Sequence, residues 1–191
     1  MLNLSRFEEN LGYTFQDRSL LELALTHPSI AHEVGAGTQH NQRLEFLGDS
    51  VIQLALTTEL YQRFPNYGEG PLSKARAQLV NRVTLGEQGR RLDIGSHLIL
   101  SRGEQTSGGR VRLSTVADAF EAVIGAVFLD AGYEAARQLL AASKGDQGVR
   151  DAVEAVYTQE LHEMAQKRSE EHTSELQSHL NLVCRLLLEK K

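Results

Sequence analysis

The chain has 191 residues and 41% of them are hydrophobic, which is enough for one packed domain and excludes a wholly disordered protein. Its net charge of −5 excludes a broadly basic nucleic-acid binder, so any nucleic-acid contact depends on a local basic patch. The single cysteine excludes an intrachain disulfide and a cysteine metal cluster. No apolar run approaches the ~18 residues that span a bilayer and no signal-peptide pattern is present, so we expect a cytoplasmic protein without a membrane segment.

Helical patterns dominate the sequence, which predicts an all-α fold without internal repeats. In chain order, we predict helices over residues 4–11, 20–26, 41–63, 71–92, 114–129, 133–142 and 149–156. The segment 98–113 is predicted to be a loop with a short apolar element, and a glycine-rich loop is predicted over 35–38.

Capping residues, glycines and prolines set the predicted helix ends. Gly12 closes the first helix, and Asp17 is placed to cap the second. Pro65 follows the third helix, Pro71 suits the first turn of the fourth, and Gly132 ends the helix that begins at 114.

Two of the predicted helices each carry a pair of carboxylates beside an apolar stripe. Glu45 and Asp49 are four residues apart, and Asp118 and Glu121 are three apart, so each pair lies on one helix face. Acidic pairs on helices commonly lie on solvated faces without any function. Two pairs in similar apolar surroundings favour a functional site instead.

Gly48 and Gly125 lie inside these helices, where glycine costs about 1 kcal/mol relative to alanine. That cost is explained if a neighbouring backbone approaches closely at each glycine, which would bring all four carboxylates together. Four carboxylates in one partly buried site cannot all be charged without a cation, so either they raise one another's pKa or a metal neutralises them. An all-oxygen ligand set suits Mg²⁺ or Mn²⁺. Spacing alone therefore predicts a helical, divalent-metal-dependent hydrolase.

Residues 40–50, "HNQRLEFLGDS", resemble the signature motif of the ribonuclease III family of double-stranded-RNA endonucleases. Further segments resemble other parts of that family in the same order, over residues 11–133. They are "LGYTFQDRSLLELALTHPS", "YQRFPNYGEGPLSKARAQLV" and "SGGRVRLSTVADAFEAVIGAVFLDAGY". The resemblance implies an all-α endonuclease domain acting as a homodimer on double-stranded RNA. It also implies Mg²⁺-dependent hydrolysis, with Mn²⁺ able to substitute, to 5′-phosphate and 3′-hydroxyl ends during processing of rRNA and other structured transcripts.

The resemblance assigns roles to the four carboxylates. Glu45, Asp118 and Glu121 match the family's metal ligands. Asp49 and Glu121 match the residues most needed for catalysis, with Asp49 helping to hold the metal and its water.

Other positions match substrate and dimer contacts. Glu69 matches an acidic residue that supports the substrate, and Phe46 matches an aromatic that inserts into the partner subunit, although a core aromatic has the same sequence signature. Gln42 stands where most members have Glu; it keeps an acceptor oxygen, so we expect activity to survive. The candidates for contact with the RNA backbone are Lys74, Arg76, Arg82, Arg102, Arg110 and Arg112, any one of which alone has the signature of an ordinary surface charge.

The sequence divides into three parts. Residues 1–145 are predicted to form the endonuclease domain. Residues 146–167 are predicted to be a linker and the start of a truncated double-stranded-RNA-binding domain, since Leu161, Glu163 and Gln166 fit its L-x-E-x-x-Q pattern. Residues 168–191 resemble the translation of a synthetic sequencing adapter, and we interpret them as a non-native read-through tail.

The alternatives are a module that binds duplex RNA without cutting it, and another all-α metal-dependent phosphohydrolase such as a nucleotide pyrophosphatase. The complete carboxylate set argues against the first, and "LEFLGD" against the second. A purely structural helical protein is a further alternative.

Overall fold

The computed structural model describes residues 4–35 and 37–188, and this part of the chain is mainly helical. Side-chain surroundings are described for these residues except 144–147, 157, 160–165 and 167–188. A 3₁₀ turn over Pro28–Ile30 accompanies the α-helices. They are α1 Leu4–Leu11, α2 Arg18–Leu25, α3 Ala31–Val34, α4 Gln42–Arg63, α5 Glu69–Leu79, α6 Arg82–Arg91, α7 Ile94–His97, α8 Arg102–Thr106 and α9 Leu113–Leu188. Within the described residues the only β-type pairing is an isolated bridge between Thr26 and Ile99, so the predicted all-α fold is confirmed.

Several predicted helix ends are confirmed. Gly12 follows α1 with a left-handed φ of 70°, which glycine adopts without a Cβ penalty. The Asp17 side chain caps α2 by accepting a hydrogen bond of 2.9 Å from the backbone N–H of Ser19. The long helix α4 ends at Arg63, two residues before Pro65.

The single helix predicted over residues 71–92 is wrong, because two helices, α5 and α6, occupy this stretch. The helix is interrupted at Val80 and Asn81. Asn81 has extended backbone angles, and its side chain accepts a 2.9 Å hydrogen bond from the N–H of Thr84. An asparagine cap therefore starts a new helix inside a segment whose apolar pattern alone resembles one continuous helix.

Three helices were predicted over residues 114–156, and α9 instead runs through all of them. Gly132 does take the left-handed φ of 82° that favours a helix end, but the helix continues beyond it. The predicted loop at 98–113 also contains the short helix α8, which Ser101 caps by accepting from the N–H of Glu104 at 3.1 Å. The positions Leu161 and Glu163 and the tail from 168 lie outside the residues whose side chains are described.

The central element is α9, and α4 packs along it over the greatest length, with α2, α5 and α6 also against it. Residues 115–127 of α9 are buried apart from the half-buried Asp118 and Glu121. The largest fully buried side chain among them, Phe120, shares the core with Phe7, Leu21, Leu25, Ile52, Leu56 and Leu60. No helix in the described part of the chain is long and apolar enough to span a membrane.

Asp130 ties the N-terminal segment to α9. Its Oδ2 atom accepts hydrogen bonds from the Tyr13 hydroxyl at 2.6 Å and from the N–H of Gln16 at 2.9 Å. Its Oδ1 atom accepts from the N–H of Asp17 at 2.9 Å. These contacts fix the turn between α1 and α2 on the helix that carries Asp118 and Glu121.

Candidate metal and active site

The backbones of α4 and α9 touch at Gly48 and Gly125. A Cβ atom on Gly48 would lie 1.8 Å from the carbonyl oxygen of Glu121, and one on Gly125 would lie 2.3 Å from the carbonyl oxygen of Leu44. No side chain fits at such distances, so glycine is required at both positions. The close approach predicted from the two mid-helix glycines is confirmed.

This contact places the two acidic pairs in one electrostatic environment. Burial, together with the negative charges of Asp49, Glu45 and Asp118, raises the pKa of Glu121 to about 8, and the positive charge of Arg82 opposes the shift. Glu121 is therefore repelled by both carboxylates of α4, Glu45 and Asp49, and by Asp118 on its own helix, so it lies within the acidic group. At neutral pH and without a cation, Glu121 therefore carries a proton.

Glu45 and Asp118 show the same effect across the contact. Burial raises the pKa of Glu45, and the charges of Asp118 and Asp49 add to the rise. Burial also raises the pKa of Asp118, while the charges of Arg82 and His27 lower it. The mutual repulsion of these groups is what a bound cation would relieve.

The donor set fits a hard divalent cation. The four carboxylates are partly buried and supply only oxygen, as Mg²⁺ and Mn²⁺ require. The Asp49 carboxylate accepts hydrogen bonds of 3.1 and 2.9 Å from the Gln53 amide one turn along α4, so its orientation is held from within its own helix. Among the described side chains no three His, Cys, Asp or Glu groups converge closely enough to enclose a metal ion. The four carboxylates therefore influence one another electrostatically without forming a closed coordination shell.

Comparison with known proteins identifies the family of this fold. A family model described as Ribonuclease-III-like matches residues 17–144, which include all four carboxylates. The chain belongs to the ribonuclease III family. The resemblance seen in the sequence motifs is thereby confirmed.

Curated relatives and solved structures agree with this assignment. The chain is 48% identical over 131 residues to Ribonuclease 3 of Oleidesulfovibrio alaskensis, covering 69% of this chain and 57% of the relative. It is 48% identical over 137 residues to Ribonuclease 3 of Vibrio cholerae, covering 72% and 58%. The nuclease domain of Campylobacter jejuni ribonuclease III superposes with a TM-score of 0.69 at 38% identity, covering 74% of this chain and 95% of that one. The chain therefore spans less than two thirds of the length of these curated relatives and nearly all of a ribonuclease III nuclease domain.

Two predicted substrate-supporting residues lie apart from each other. Gln42 is exposed as the first residue of α4, one turn before Glu45. Glu69 is exposed as the first residue of α5 and accepts a 2.6 Å hydrogen bond from Ser73 Oγ. Glu69 is not among the charges that shift the pKa of Glu45, Asp118 or Glu121, so within one chain the structure does not bring it into the acidic group.

Phe46 is 79% exposed on α4, so the core alternative for this ribonuclease III aromatic is wrong. Leu54 and Tyr61 are exposed on the same side of α4 by helical spacing, at 56% and 74%. Near Tyr61, between α4 and α5, is a cleft of about 460 Å³ lined by Leu60, Tyr61, Tyr67, Glu69, Leu72 and Arg76 among others. An exposed apolar helix face beside an apolar cleft is typical of a protein interface.

The basic residues predicted to contact RNA in this ribonuclease III domain differ in their surroundings. Lys74 is exposed, and Arg76 donates a 2.9 Å hydrogen bond to Thr57 Oγ1. Arg110 donates to the carbonyl oxygens of Gly95, Ser96 and Leu98 at 3.1, 3.3 and 2.8 Å, and Arg112 forms an ion pair with Glu104. Arg110 and Arg112 thus have structural roles, and contact with RNA stays a prediction for these four, as it does for Arg82 and Arg102.

His27 is a neighbour of the site that the sequence reasoning missed. The N–H of Ser29 donates to its Nδ1 atom at 3.1 Å, which assigns the proton of the neutral ring to Nε2. Burial lowers the pKa of His27, and the charges of Glu104 and Asp118 oppose the shift. The sequence could have indicated His27, because it is the histidine of "LTHPS", which lies in one of the segments that resemble the family.

Proposed function

We propose that this chain carries the nuclease domain of an endoribonuclease that hydrolyses double-stranded RNA with a divalent metal held by Glu45, Asp49, Asp118 and Glu121. The contact at Gly48 and Gly125 supports this best, because it places two acidic pairs in one field and raises the pKa of Glu121 to about 8. Membership of the ribonuclease III family and the likeness to a nuclease domain give independent support.

The residues of the site divide the work. Mg²⁺ bound there would act as a Lewis acid on the phosphodiester and lower the pKa of a bound water. Glu121 must release its proton to become a ligand, so it couples metal binding to pH. Gln53 keeps the Asp49 carboxylate oriented, which limits the motion of one ligand before the metal arrives.

The substrate and products follow from the same assignment. The chain cleaves duplex RNA to 5′-phosphate and 3′-hydroxyl ends and acts on rRNA and other structured transcripts in the cytoplasm. Gln42 and Glu69 support the substrate, and Lys74, Arg76, Arg110 and Arg112 contact its backbone. Exposure of Gln42, Glu69 and Lys74 is consistent with these roles, since substrate-facing side chains must be accessible.

The active form is a homodimer in which Phe46 enters the cleft between α4 and α5 of the second copy. Within one chain Phe46 cannot fill that cleft, because Tyr61 at its wall lies fifteen residues along α4, roughly 22 Å away. A two-fold interface solves this, since each copy supplies one aromatic and one cleft. The C. jejuni nuclease domain has a region involved in dimer formation, and this supports a dimer for the present chain.

A labelled RNA duplex incubated with the purified chain in Mg²⁺, in Mn²⁺ and in EDTA tests the proposal. We expect cleavage with either metal and none in EDTA, at low ionic strength where phosphate contacts are strongest. Binding without cleavage in Mg²⁺ would instead favour a non-cutting RNA-binding module. Hydrolysis of nucleoside triphosphates with the duplex intact would favour the pyrophosphatase alternative.

A further inference from the structure

Asn41 lies at the junction between the end of α2 and the start of α4. It is 1% exposed and immediately precedes Gln42, the first residue of α4. An asparagine in this position usually caps its own helix, by accepting a hydrogen bond from a backbone N–H two or three residues further on. The Asn41 side chain makes no such bond, so capping of α4 does not explain why an asparagine occupies position 41.

The Asn41 amide instead completes the C-terminus of α2. The last carbonyl groups of a helix lack donors within it, and the residue four places after Ala24 is Pro28, which has no N–H. The Nδ2 atom of Asn41 donates to the carbonyl oxygen of Ala24 at 3.2 Å. The next carbonyl oxygen, that of Leu25, accepts from the N–H of Ile99 at 2.9 Å. The end of α2 is therefore held by residues far along the chain.

The backbone of Asn41 adds two hydrogen bonds to this junction. Its N–H donates to the carbonyl oxygen of Thr26 at 2.9 Å, and its carbonyl oxygen accepts from the N–H of Glu45 at 2.8 Å. Glu45 is the carboxylate in the first turn of α4. One buried residue thus connects the end of α2 to the turn that carries Glu45.

The junction and the glycine contact fix α4 on either side of Glu45. At the junction α4 is bonded to α2, which packs against α9, the helix that carries the second acidic pair. Asn41 precedes Glu45 by about one turn, and Gly48, which touches the backbone of α9, follows it by about one turn. Asp49 lies beyond Gly48. Loss of the junction should therefore disturb Glu45 more than Asp49.

Stability of the core alone does not explain the Asn41 amide. Its Oδ1 atom is buried and accepts no hydrogen bond from the residues that the structure describes. A buried acceptor without a donor is unfavourable, whereas an apolar side chain of similar size carries no such penalty. What the amide contributes is the bond to Ala24, which fixes where α4 begins relative to α2.

We infer that Asn41 is a positioning residue for Glu45: it fixes the first turn of α4 on the end of α2, so that the Glu45 carboxylate is held in place as a ligand before the cation binds. The inference rests on the proposed function, which supplies the cation. Asn41 acts through the backbone of the turn that carries Glu45 and not through contact with the metal or the RNA. Groups that hold a metal ligand in place raise metal affinity, because they limit the motion that binding would otherwise have to arrest.

Asn41→Leu and Asn41→Ala test the inference, with Asn81→Ala as the matched control. Leucine approximates the size of asparagine without its donor, and alanine serves if leucine does not fit. Asn81 is also an asparagine immediately before a helix, but its side-chain hydrogen bonds are to Gln78 and Thr84, at the start of α6. Calorimetry measures Mn²⁺ binding without RNA, and amide hydrogen exchange is measured on the metal-free protein. Duplex binding in EDTA and cleavage over a series of Mg²⁺ concentrations complete the set.

We expect Asn41→Leu to raise the Kd for Mn²⁺ about tenfold, the lower end of the range for loss of a group that orients a ligand. Exchange of the Glu45 amide should accelerate about fivefold, the factor that corresponds to one ordinary hydrogen bond, with the middle of α4 unchanged. Duplex binding in EDTA should equal that of the wild type, and saturating Mg²⁺ should restore cleavage. Asn81→Ala should lower the melting temperature by about 2–4 °C through loss of a helix cap and leave Mn²⁺ affinity and Glu45 exchange unchanged.

Three results would overturn the inference. One is an Asn41→Leu variant whose Mn²⁺ affinity and Glu45 exchange equal those of Asn81→Ala. Another is exchange that accelerates equally throughout α4 and α9, which would give Asn41 a role in the fold as a whole. The third is failure of both Asn41 variants to fold, which would mean the same. If the wild type binds Mn²⁺ but does not cut duplex RNA, the proposed function fails, and Mn²⁺ affinity and exchange alone decide the role of Asn41. If the wild type binds no divalent metal, both fail.

Discussion

Gly48 and Glu121 meet across the α4–α9 contact so closely that a methyl group on Gly48 would lie 1.8 Å from the carbonyl oxygen of Glu121. Since that oxygen belongs to helix backbone, it cannot rotate away as a side chain would. We expect Gly48→Ala to force the helices apart and to lower the free energy of unfolding by at least about 1–3 kcal/mol, measured by urea denaturation. Cleavage activity should fall as well, because the acidic pairs separate.

Gly103→Ala is the matched control for this substitution. Gly103 lies in helix α8, and a Cβ atom there would have nothing within 4 Å. We expect this variant to be unchanged or more stable by up to about 1 kcal/mol, because alanine favours the helix. Equal effects at positions 48 and 103 would show that the close contact does not constrain the protein.

The metal-free protein should lose stability as the pH rises. Burial and neighbouring charge raise the pKa of Glu121 from 4.5 to about 8. Between these two pKa values the folded state binds more protons than the unfolded state. The contribution of Glu121 to the free energy of unfolding is therefore most favourable below pH 4.5 and declines as the pH rises to 8. Melting temperatures in EDTA at pH 6 and pH 8.5 measure the effect.

Glu121→Gln should flatten this pH dependence, because the variant side chain does not ionise. Saturating Mg²⁺ should also reduce it, since the metal compensates the charge that burial penalises. The affinity of the wild type for Mg²⁺ should rise with pH, by on the order of tenfold per unit below pH 8 for one released proton. Affinity that is independent of pH would contradict the protonated state assigned to Glu121.

Asp49→Asn should reduce cleavage by more than about a hundredfold, because loss of an outer-shell partner alone typically costs 10–100-fold and Asp49 is a proposed ligand. Gln53→Ala should have a smaller effect, of about tenfold or less, since Gln53 only orients Asp49 through its amide. Single-turnover cleavage at saturating protein measures both. A Gln53→Ala variant as impaired as Asp49→Asn would assign Gln53 a direct role.

Phe46→Ala should weaken dimerisation without loss of monomer stability, because the side chain is 79% exposed and adds nothing to the core of its own chain. Sedimentation equilibrium should show a dimer dissociation constant raised by about tenfold or more, as is typical of a buried aromatic anchor. Leu129→Ala removes a 53% exposed apolar side chain from α9 and should leave the dimer intact. An unchanged dissociation constant for Phe46→Ala would remove the proposed interface.

Gln42→Glu should change the cleavage rate by less than about tenfold. The side chain is exposed at the start of α4, and the amide already provides one acceptor oxygen toward water or RNA. Cleavage rates over a series of Mg²⁺ concentrations measure the effect, and a shift in the metal requirement would show that the added charge reaches the metal. A wild-type chain that is inactive until Gln42 is replaced would contradict the prediction.

The acidic site was predictable because its signals are local and strong. Carboxylates at i, i+3 or i, i+4 share a helix face, and a glycine inside a helix indicates a close neighbour. These rules anticipated that Gly48 and Gly125 bring two helices together. They do not place His27, because Glu104 and Asp118, the acidic residues whose charges reach it, lie far from it in the sequence.

Errors in the helix boundaries have physical causes. The interruption between α5 and α6 depends on Asn81, which caps α6 by accepting a hydrogen bond from the N–H of Thr84. In the sequence, the apolar residues on both sides of Asn81 favoured one continuous helix instead. The continuation of α9 past Gly132 shows the opposite case. A helix can continue directly after one residue with a left-handed φ, as α9 does after Gly132. The sequence alone does not indicate whether a glycine ends a helix or only interrupts it.

The hydrogen bonds of Asp130 to the turn between α1 and α2 have a consequence for biosynthesis. They join residues 113 to 117 positions apart in the chain. On the ribosome, the N-terminal helices therefore emerge long before their acceptor is made, at about 5–20 residues per second. For several seconds the face of α2 that packs on α9 has no partner, so chaperone binding to nascent chains should decline once residue 130 has left the exit tunnel.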